Sequence, residues 1–536
     1  MARSAAIRQG AAIAAAAVVI VVIGWPFVRL GGVAFEDGLA TALATLTSPL
    51  VASAIWNSLW TGVLVAVLAV CAGTGAALVT ERLAVPARRW LRLGMLLPLL
   101  IPPFVGAFGW ARAYGPRGLL DQLVGSDLSG LYGPLGVVLV LTVAATPVVW
   151  LIVAGALASR VEPDVERAAR VSGAGPLTTL LTVTLPLLRP ALGSSAVVAF
   201  VFAVNAFGVP SVLGTPAGFA TITTRLYQDL ALSAEPSAFV RVTTMAVTLV
   251  VLAVVVVGPT DALLSRRGAT RTAFAAGGGS NGSGGTAIAM AMGAAIVVTT
   301  VLPFAAIVLT ALTRATGLAP VPANWTSANF GEAVDSRFVG GLVHSLILAC
   351  AAASIVSLLA ALLAALRGRA KVLGSAVTLG FAIPGSALAI AVLLAYGAWL
   401  GDTLAIILVA YVAKFWALGH RQLAGSIDRL PPDQVRAARA SGAGPADALW
   451  SIVVPFLRPS IVAGWLVVFV FAIHELTMSS LLYGPTSATL AVVVLNVQQL
   501  GDPTVTAALA VLLTGVVVLA AAPLAVLGAG RRAPAR

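Results

Sequence analysis

Apolar residues run along this chain in blocks too long for the core of a water-soluble domain, and the charges, prolines and glycines gather in the short stretches between them. A helix needs about 20 residues to cross roughly 30 Å of hydrocarbon. Twelve blocks meet that length, near 9–29, 57–80, 93–112, 133–157, 191–213, 239–258, 286–312, 341–366, 372–398, 403–424, 461–483 and 504–528. Within each block the apolar positions are continuous. A barrel strand would alternate, whereas a helix that satisfies its own backbone in lipid need not. The pattern predicts an all-α polytopic membrane protein.

Composition leaves no room for anything else: of 536 residues, 60% are hydrophobic and 10% charged. The formal charge of +13 raises nucleic acid as a partner, and the placement of the basic residues removes it. With the N-terminus inside, 24 of the 32 Lys and Arg fall in alternate loops, at Arg3 and Arg8, Arg82 to Arg92, Arg160 to Arg189, Arg266 to Arg271, Arg367 to Lys371, Arg421 to Arg458 and Arg531 to Arg536. Seven lie on the other side, and Lys414 lies within a span. That asymmetry puts both termini in the cytoplasm and leaves no contiguous basic face for nucleic acid. The apolar run after MARSAAIRQG reads as a first span and not as a cleaved signal, since its loss would leave the first half one span short. Cys71 and Cys350 fall inside spans and read as small apolar residues.

The chain repeats itself. PDVERAARVSGAGP at 163–176 and PDQVRAARASGAGP at 432–445 share eleven of 14 positions at an offset of 269. The match continues through Leu185 to Pro190 against Val454 to Pro459, and Phe200 to Ala206 against Phe469 to Glu475. Upstream, Ile101-Pro102 corresponds to Ile383-Pro384 at an offset of 282. The expected organisation is a first six-helix unit at 1–274, a Gly/Ser-rich cytoplasmic linker at 275–287 that packs against nothing, and a second six-helix unit at 288–536. Six spans per unit make the repeats parallel, related by a pseudo-two-fold axis along the membrane normal.

The duplicated segment lies in the cytoplasmic loop between the fourth and fifth spans of each half. Asp164 and Asp433 follow a proline and are expected to cap a short helix. Arg167 and Arg170, like Arg436 and Arg439, share a face of it. Alanines sit between them, and Gly173 and Gly442 then break the helix. A second short helix should follow, with Pro190 and Pro459 opening the next span. Lipid contact alone does not keep two loops this similar.

This segment resembles the coupling motif of binding-protein-dependent ABC importer permeases, a Glu-Ala-Ala, a spacer, a glycine and further on a hydrophobic-Leu-Pro. Here the motif runs Arg167-Ala168-Ala169, Gly173 and Leu185-Pro186, then Arg436-Ala437-Ala438, Gly442 and Val454-Pro455. Arginine replaces the glutamate in both copies. The chain looks similar to fused two-motif permeases of the iron(III) group, with Phe207 to Gly214 and His474 to Pro485 resembling that group's half-specific signatures. The resemblance implies a bacterial inner-membrane subunit whose two loops seat two copies of an ABC ATPase. ATP and Mg would be bound by that partner, with no cofactor held by this chain. A periplasmic or lipid-anchored binding protein would deliver the solute, either iron(III) or an iron chelate, or else thiamine, a polyamine or a phosphonate.

Other classes fit less well. An ion-coupled secondary transporter would carry ionisable groups at mid-membrane, and only Lys414, His474 and Glu475 lie well inside spans. An enzyme would cluster its acids, bases or metal ligands, and the three histidines, His344, His420 and His474, stand on different spans. The two lysines, Lys371 and Lys414, follow no glycine, so the chain has no phosphate-binding loop of its own. The offset also aligns Asn205 with His474, one residue before Glu475. These residues, with Phe207 and Lys414, are expected to line the outer part of the translocation path.

Overall fold

The computed structural model describes residues 20–264, 283–364, 383–427 and 430–530, together with 17 and 380. The described residues are helical, and apart from one isolated bridge between Thr313 and Trp325 they contain no β-structure. The first half runs α1 (Trp25–Ala34), α2 (Leu39–Thr47), α3 (Pro49–Arg82), α4 (Arg88–Leu100), α5 (Pro103–Tyr114), α6 (Leu119–Val124), α7 (Pro134–Arg160), α8 (Pro163–Val171), α9 (Pro176–Thr179), α10 (Leu185–Asn205), α11 (Ile222–Ala231) and α12 (Pro236–Leu264). The second half runs α13 (Ser283–Ile296), α14 (Leu302–Ala311), α15 (Ala328–Ala333), α16 (Ser336–Ala364), α17 (Gly385–Leu400), α18 (Leu404–Ile427), α19 (Pro432–Ala440), α20 (Pro445–Ala448), α21 (Val454–Ile473), α22 (Ser479–Leu482), α23 (Leu490–Leu500) and α24 (Pro503–Gly530).

Eight helices among the described residues are long and apolar enough to cross a membrane. A ninth span is the pair Arg88–Leu100 and Pro103–Val124, bent by 104°. The other three expected spans correspond to the shorter apolar helices Val21–Ala34, Gly385–Leu400 and Leu404–His420. The expected starts of the first and ninth spans, and the last two residues of the eighth, lie outside the described residues.

Prolines account for where the spans depart from expectation. The third span is not one straight helix over 93–112, because Pro102 and Pro103 are consecutive. Neither has an N–H to give, and each forces the residue before it into extended backbone, as the ψ of 119° at Ile101 and 134° at Pro102 show. The fifth span of each half begins and ends earlier than expected, at Pro176–Asn205 and Trp450–Ile473. Pro190 and Pro459 therefore lie inside α10 and α21 instead of opening them. What permits this is a π-turn. Leu180–Thr184 and Leu449–Val453 each end two residues before a proline, Pro186 or Pro455, and the π-turns Ile20–Gly24 and Val297–Val301 stand in the same relation to Pro26 and Pro303. A proline crowds the carbonyl four residues back, and the wider turn moves that carbonyl aside.

In each half α3 packs on α7 and α10, as α16 packs on α18 and α21. The first helix of each half crosses to the other. α1 packs against α17, and α14 against α5. Tyr396 donates its hydroxyl to the Val21 carbonyl at 2.8 Å, and Tyr114 donates to the Val298 carbonyl. Those carbonyls stand five residues before Pro26 and Pro303, where a π-turn would look for an N–H that proline lacks. Trp110 Nε1 takes the next one, the Thr299 carbonyl, at 3.0 Å. A carbonyl left unpaired toward hydrocarbon would cost several kcal/mol, so the swap is fastened at the places the prolines open. The linker is also shorter than expected. Ser283 to Gly285 begin α13, and Gly285 packs so closely on Ala84 that a Cβ there would lie 2.6 Å from its carbonyl oxygen. The remainder, 275–282, lies outside the described residues.

Candidate functional site

The two duplicated loops fold alike. Pro163 and Pro432 occupy the first helical position, where a missing N–H costs nothing. This places Asp164 one residue too far along to cap α8. The N-cap is Glu162, without a side-chain bond. Asp164 instead accepts from Arg167 at 2.8 Å, and Asp433 lies 3.4 Å from Arg436. All four side chains are exposed, so each pair contributes under about 1 kcal/mol. What shapes the loop is its end. Gly173 and Gly442 both have φ of +89°. Ala174 N–H bonds the Ala169 carbonyl and Ala443 N–H the Ala438 carbonyl, both at 3.0 Å, and Gly173 N–H bonds the Arg170 carbonyl at 3.0 Å. This is a Schellman end, in which a left-handed residue lets the chain satisfy the last carbonyls and turn away. Four-residue helices α9 and α20 follow, then the π-turns and Pro186 and Pro455. Ala168, Arg170 and Ala437 are exposed beside Arg167 and Arg436, Ala169 and Ala438 are half-buried, and Arg439 lies on α19.

The sequence reading missed what holds the first loop down. Glu166 is buried on the inner face of α8, where one carboxylate oxygen accepts from Thr184 Oγ1 at 2.6 Å and the other lies 3.4 Å from Arg82 Nε. Arg82 ends α3 and also donates to the carbonyls of Leu157 and Val161 at 3.2 and 2.7 Å, closing the end of α7. One carboxylate thus ties the loop to α3, α7 and the π-turn below α10. The second copy has Val435 at this position. The available signal was that mismatch, one of the few within the duplicated segment.

At the opposite end of α10 and α21 the expected path residues stand at equivalent helix ends. Asn205 is the last residue of α10, and His474 follows the last residue of α21. The loops beyond meet: a Cβ on Gly208 would lie 2.4 Å from Phe104 Cβ and 3.3 Å from Leu476 Cδ2 of the other half. Phe207 is buried and packs on Tyr227 with ring centres 5.0 Å apart. Both oxygens of Glu475 accept from Met478 N–H at 3.0 Å, and one also accepts from Ser479 N–H at 3.1 Å. Tyr411 bonds Ser479 Oγ at 2.7 Å. Lys414, on the same helix as Tyr411, donates to the Ile383 carbonyl. The Glu475 carboxylate therefore fastens the turn that starts α22, with a lysine nearby.

Two short helices that hydropathy did not reveal close this end. Ser58 Oγ accepts from Ile222 N–H at 2.8 Å and Asn57 donates to the Ala220 carbonyl at 2.9 Å, pinning α11 to α3. In the second half Ser345 Oγ accepts from Leu490 N–H at 2.9 Å and His344 Nδ1 bonds the Ala488 carbonyl at 2.9 Å, pinning α23 to α16. His344 is thus a fastening residue.

The sequence profile of the family described as "binding-protein-dependent transport system inner membrane component" matches this chain twice, over residues 69–268 and 353–528. The chain belongs to this family. A ferric transport system permease protein of Actinobacillus pleuropneumoniae is 24% identical over 448 residues, which is 79% of this chain and 63% of that protein, so the chain spans under two thirds of that relative's length. An Fe(3+)-transport system permease protein of Haemophilus influenzae is 24% identical over 447 residues, 80% of this chain and 81% of that protein. A molybdenum transport system permease protein of Mycobacterium tuberculosis is 34% identical over 193 residues, 36% of this chain and 73% of that protein. Each stretch matched by the family of inner membrane components contains one glycine-bent loop, one of the helix ends at Asn205 and His474, and one of the short helices α11 and α23.

Proposed function

We propose that this chain is the permease subunit of an ATP-driven importer in a bacterial inner membrane, and that it forms the path for iron(III) or an iron chelate. The observation that carries this reading is the pair of glycine-bent loops, alike in sequence and in backbone, on one face of a two-fold arrangement. Such a pair fits a motor with two equivalent sockets. Two copies of an ABC ATPase dock there from the cytoplasm, binding ATP and Mg, while this chain hydrolyses nothing. Both termini face the same compartment as the loops. An external binding protein, periplasmic or lipid-anchored, delivers the solute to the opposite end, where Asn205, Phe207, His474 and Glu475 flank the meeting of the halves and Lys414 lies behind them. Iron(III) is favoured over molybdate because the ferric permeases match along about four fifths of this chain, whereas the molybdenum permease matches along 36% of it. The test is uptake by proteoliposomes holding this chain, the ATPase and the binding protein encoded beside it. Uptake of radioactive iron that needs both ATP and the binding protein is the expected result. Uptake without ATP would return the chain to the secondary transporters, and ATP-dependent uptake of molybdate alone would overturn the substrate.

A further inference from the structure

The helix swap leaves a groove between α5 and α14 that holds two cavities one beyond the other. The inner cavity, about 40 Å³, is apolar and is lined by Pro98, Gly106, Trp110, Val143, Pro303 and Phe304 among others. Beyond it, at the end away from the coupling loops, a second cavity of about 30 Å³ is lined by Arg112, Arg117, Gln122, Thr310 and Thr313. From Gly106 to Arg112 on α5, and from Pro303 to Thr310 on α14, is about 10 Å of helix. The groove therefore passes from apolar to cationic over the distance separating acyl chain from headgroup.

Arg112 Nε is buried and has no hydrogen-bond partner, and the guanidinium carbon stands 5.7 Å from the centre of the Phe108 ring. Arg117 adopts a left-handed backbone, φ +57°, held by its N–H bond to Asp121 Oδ2 at 2.9 Å. Around this mouth the surface is apolar: Leu123 and Val124 of α6 are 71% and 69% exposed, and Leu318, Val321 and Trp325 are exposed beside them. Tryptophan is enriched at the membrane–water interface, and Trp325 stands at this level. The two-fold-related groove, between α17 and α1, provides an internal control. Tyr114 and Tyr396 make the equivalent bonds and fix the register, which sets Leu394 and Trp399 where Arg112 and Arg117 stand.

We propose that the α5–α14 groove holds one anionic phospholipid, its phosphate between Arg112 and Arg117 and an acyl chain laid along the open groove over the mouth of the apolar cavity. A free anion has no use for the apolar length, and a zwitterionic lipid offers the same phosphate but brings a cation of its own to two arginines. A guanidinium's planar fork matches the oxygens of a phosphate. The lipid bridges the halves, since α5 belongs to the first and α14 to the second.

The test is native mass spectrometry of the full chain released from nanodiscs of phosphatidylglycerol and phosphatidylcholine in equal parts. One phosphatidylglycerol should be retained, and Arg112→Gln with Arg117→Gln should lower its affinity roughly twenty-five-fold, at about fivefold per arginine. A second variant guards against a folding defect in the first: Leu394→Arg with Trp399→Arg should add a second retained phosphatidylglycerol. Equal retention of both lipids by the unaltered chain, or unchanged selectivity in the double glutamine variant, overturns the proposal. So does displacement of the phosphatidylglycerol by millimolar inorganic phosphate, which would make the pocket a free-anion site.

Discussion

Replacing Gly173 and Gly442 by valine tests whether the bend in each loop, and not merely its charge, carries the coupling. Both residues sit at φ +89°, and a Cβ built on either meets nothing within 4 Å. The substitution therefore creates no clash, and its whole cost is the dihedral. A left-handed conformation costs an L-residue about 1–2 kcal/mol, and a β-branched one tolerates it least. At about 1.4 kcal/mol per tenfold, each loop should lose its native bend in favour of other backbone states by a factor of roughly 5–30. The spans bury their own surfaces independently of the bend, so membrane levels should stay unchanged. In proteoliposomes with the ATPase and binding protein, the valine double variant should hydrolyse ATP while transporting far less per ATP. Asparagine visits the left-handed region readily, so Gly173→Asn with Gly442→Asn should keep most of the coupling. Unaltered transport per ATP in the valine variant would refute the reasoning, and asparagine as damaging as valine would show that something other than φ is being read.

Three further outcomes are expected. Glu166→Gln keeps an acceptor for Thr184 but removes the charge facing Arg82, and with both groups only 12–16% exposed the loss should be about 1–3 kcal/mol, seen as a lower melting temperature and earlier proteolysis of the first loop. Glu475→Gln should lower transport with insertion and binding-protein docking intact; loss of folded protein instead would leave the residue a purely local fastening for α22. Reporter fusions at both termini and in the 277–282 segment should all lie on the side of the coupling loops, and an external linker would overturn the parallel symmetry.

The elements that were legible in the sequence are those with a covalent or periodic signature. Continuous apolar runs gave the spans, a fixed offset gave the duplication, and a glycine after an alanine-rich turn gave both left-handed bends. What stayed hidden depends on contacts between distant segments. Nothing local announces that α1 and α14 exchange partners, because the carbonyls opened by Pro26 and Pro303 are satisfied by tyrosines hundreds of residues away in the chain or nearly so. The helices α11 and α23 were missed because 10 and 11 residues are too few for a hydropathy criterion built on membrane thickness. Asp164 looked like a cap because the residue type was right, and the proline before it moved the helix start by one position.

The duplication also separates two kinds of constraint within one chain. Besides the exposed Asp–Arg pair of each loop, the features present in both copies are the glycine bend, the π-turn before a Leu-Pro or Val-Pro, the tyrosine on a freed carbonyl, and the serine that accepts from the first N–H of α11 or α23. All of them set backbone position, which, on the proposed function, a two-fold motor demands equally of each half. The buried charged sets around Glu166 and Asp229 are present once. Glu166, set against Arg82, stands opposite Val435. Asp229 is buried between Arg225 and Arg241, with Glu235 on the far side of Arg241, whereas the offset of 269 puts Gln498, Val494, Ala510 and Thr504 at the corresponding positions. A buried charge without a partner costs several kcal/mol, so such groups persist as complete sets or not at all. On the proposed function the outward part of this set, Glu235 with the edges of Arg225 and Arg241, faces a binding protein, a single chain with no two-fold axis of its own, and only one half can offer it a given surface. If that is the reason for the divergence, exchanging the Asp229 set into the second half, Val494→Arg with Gln498→Asp and Ala510→Arg, should leave ATPase docking unchanged and weaken binding-protein docking. Docking unaffected by the exchange would mean that the charged set serves only to join α11 to α12.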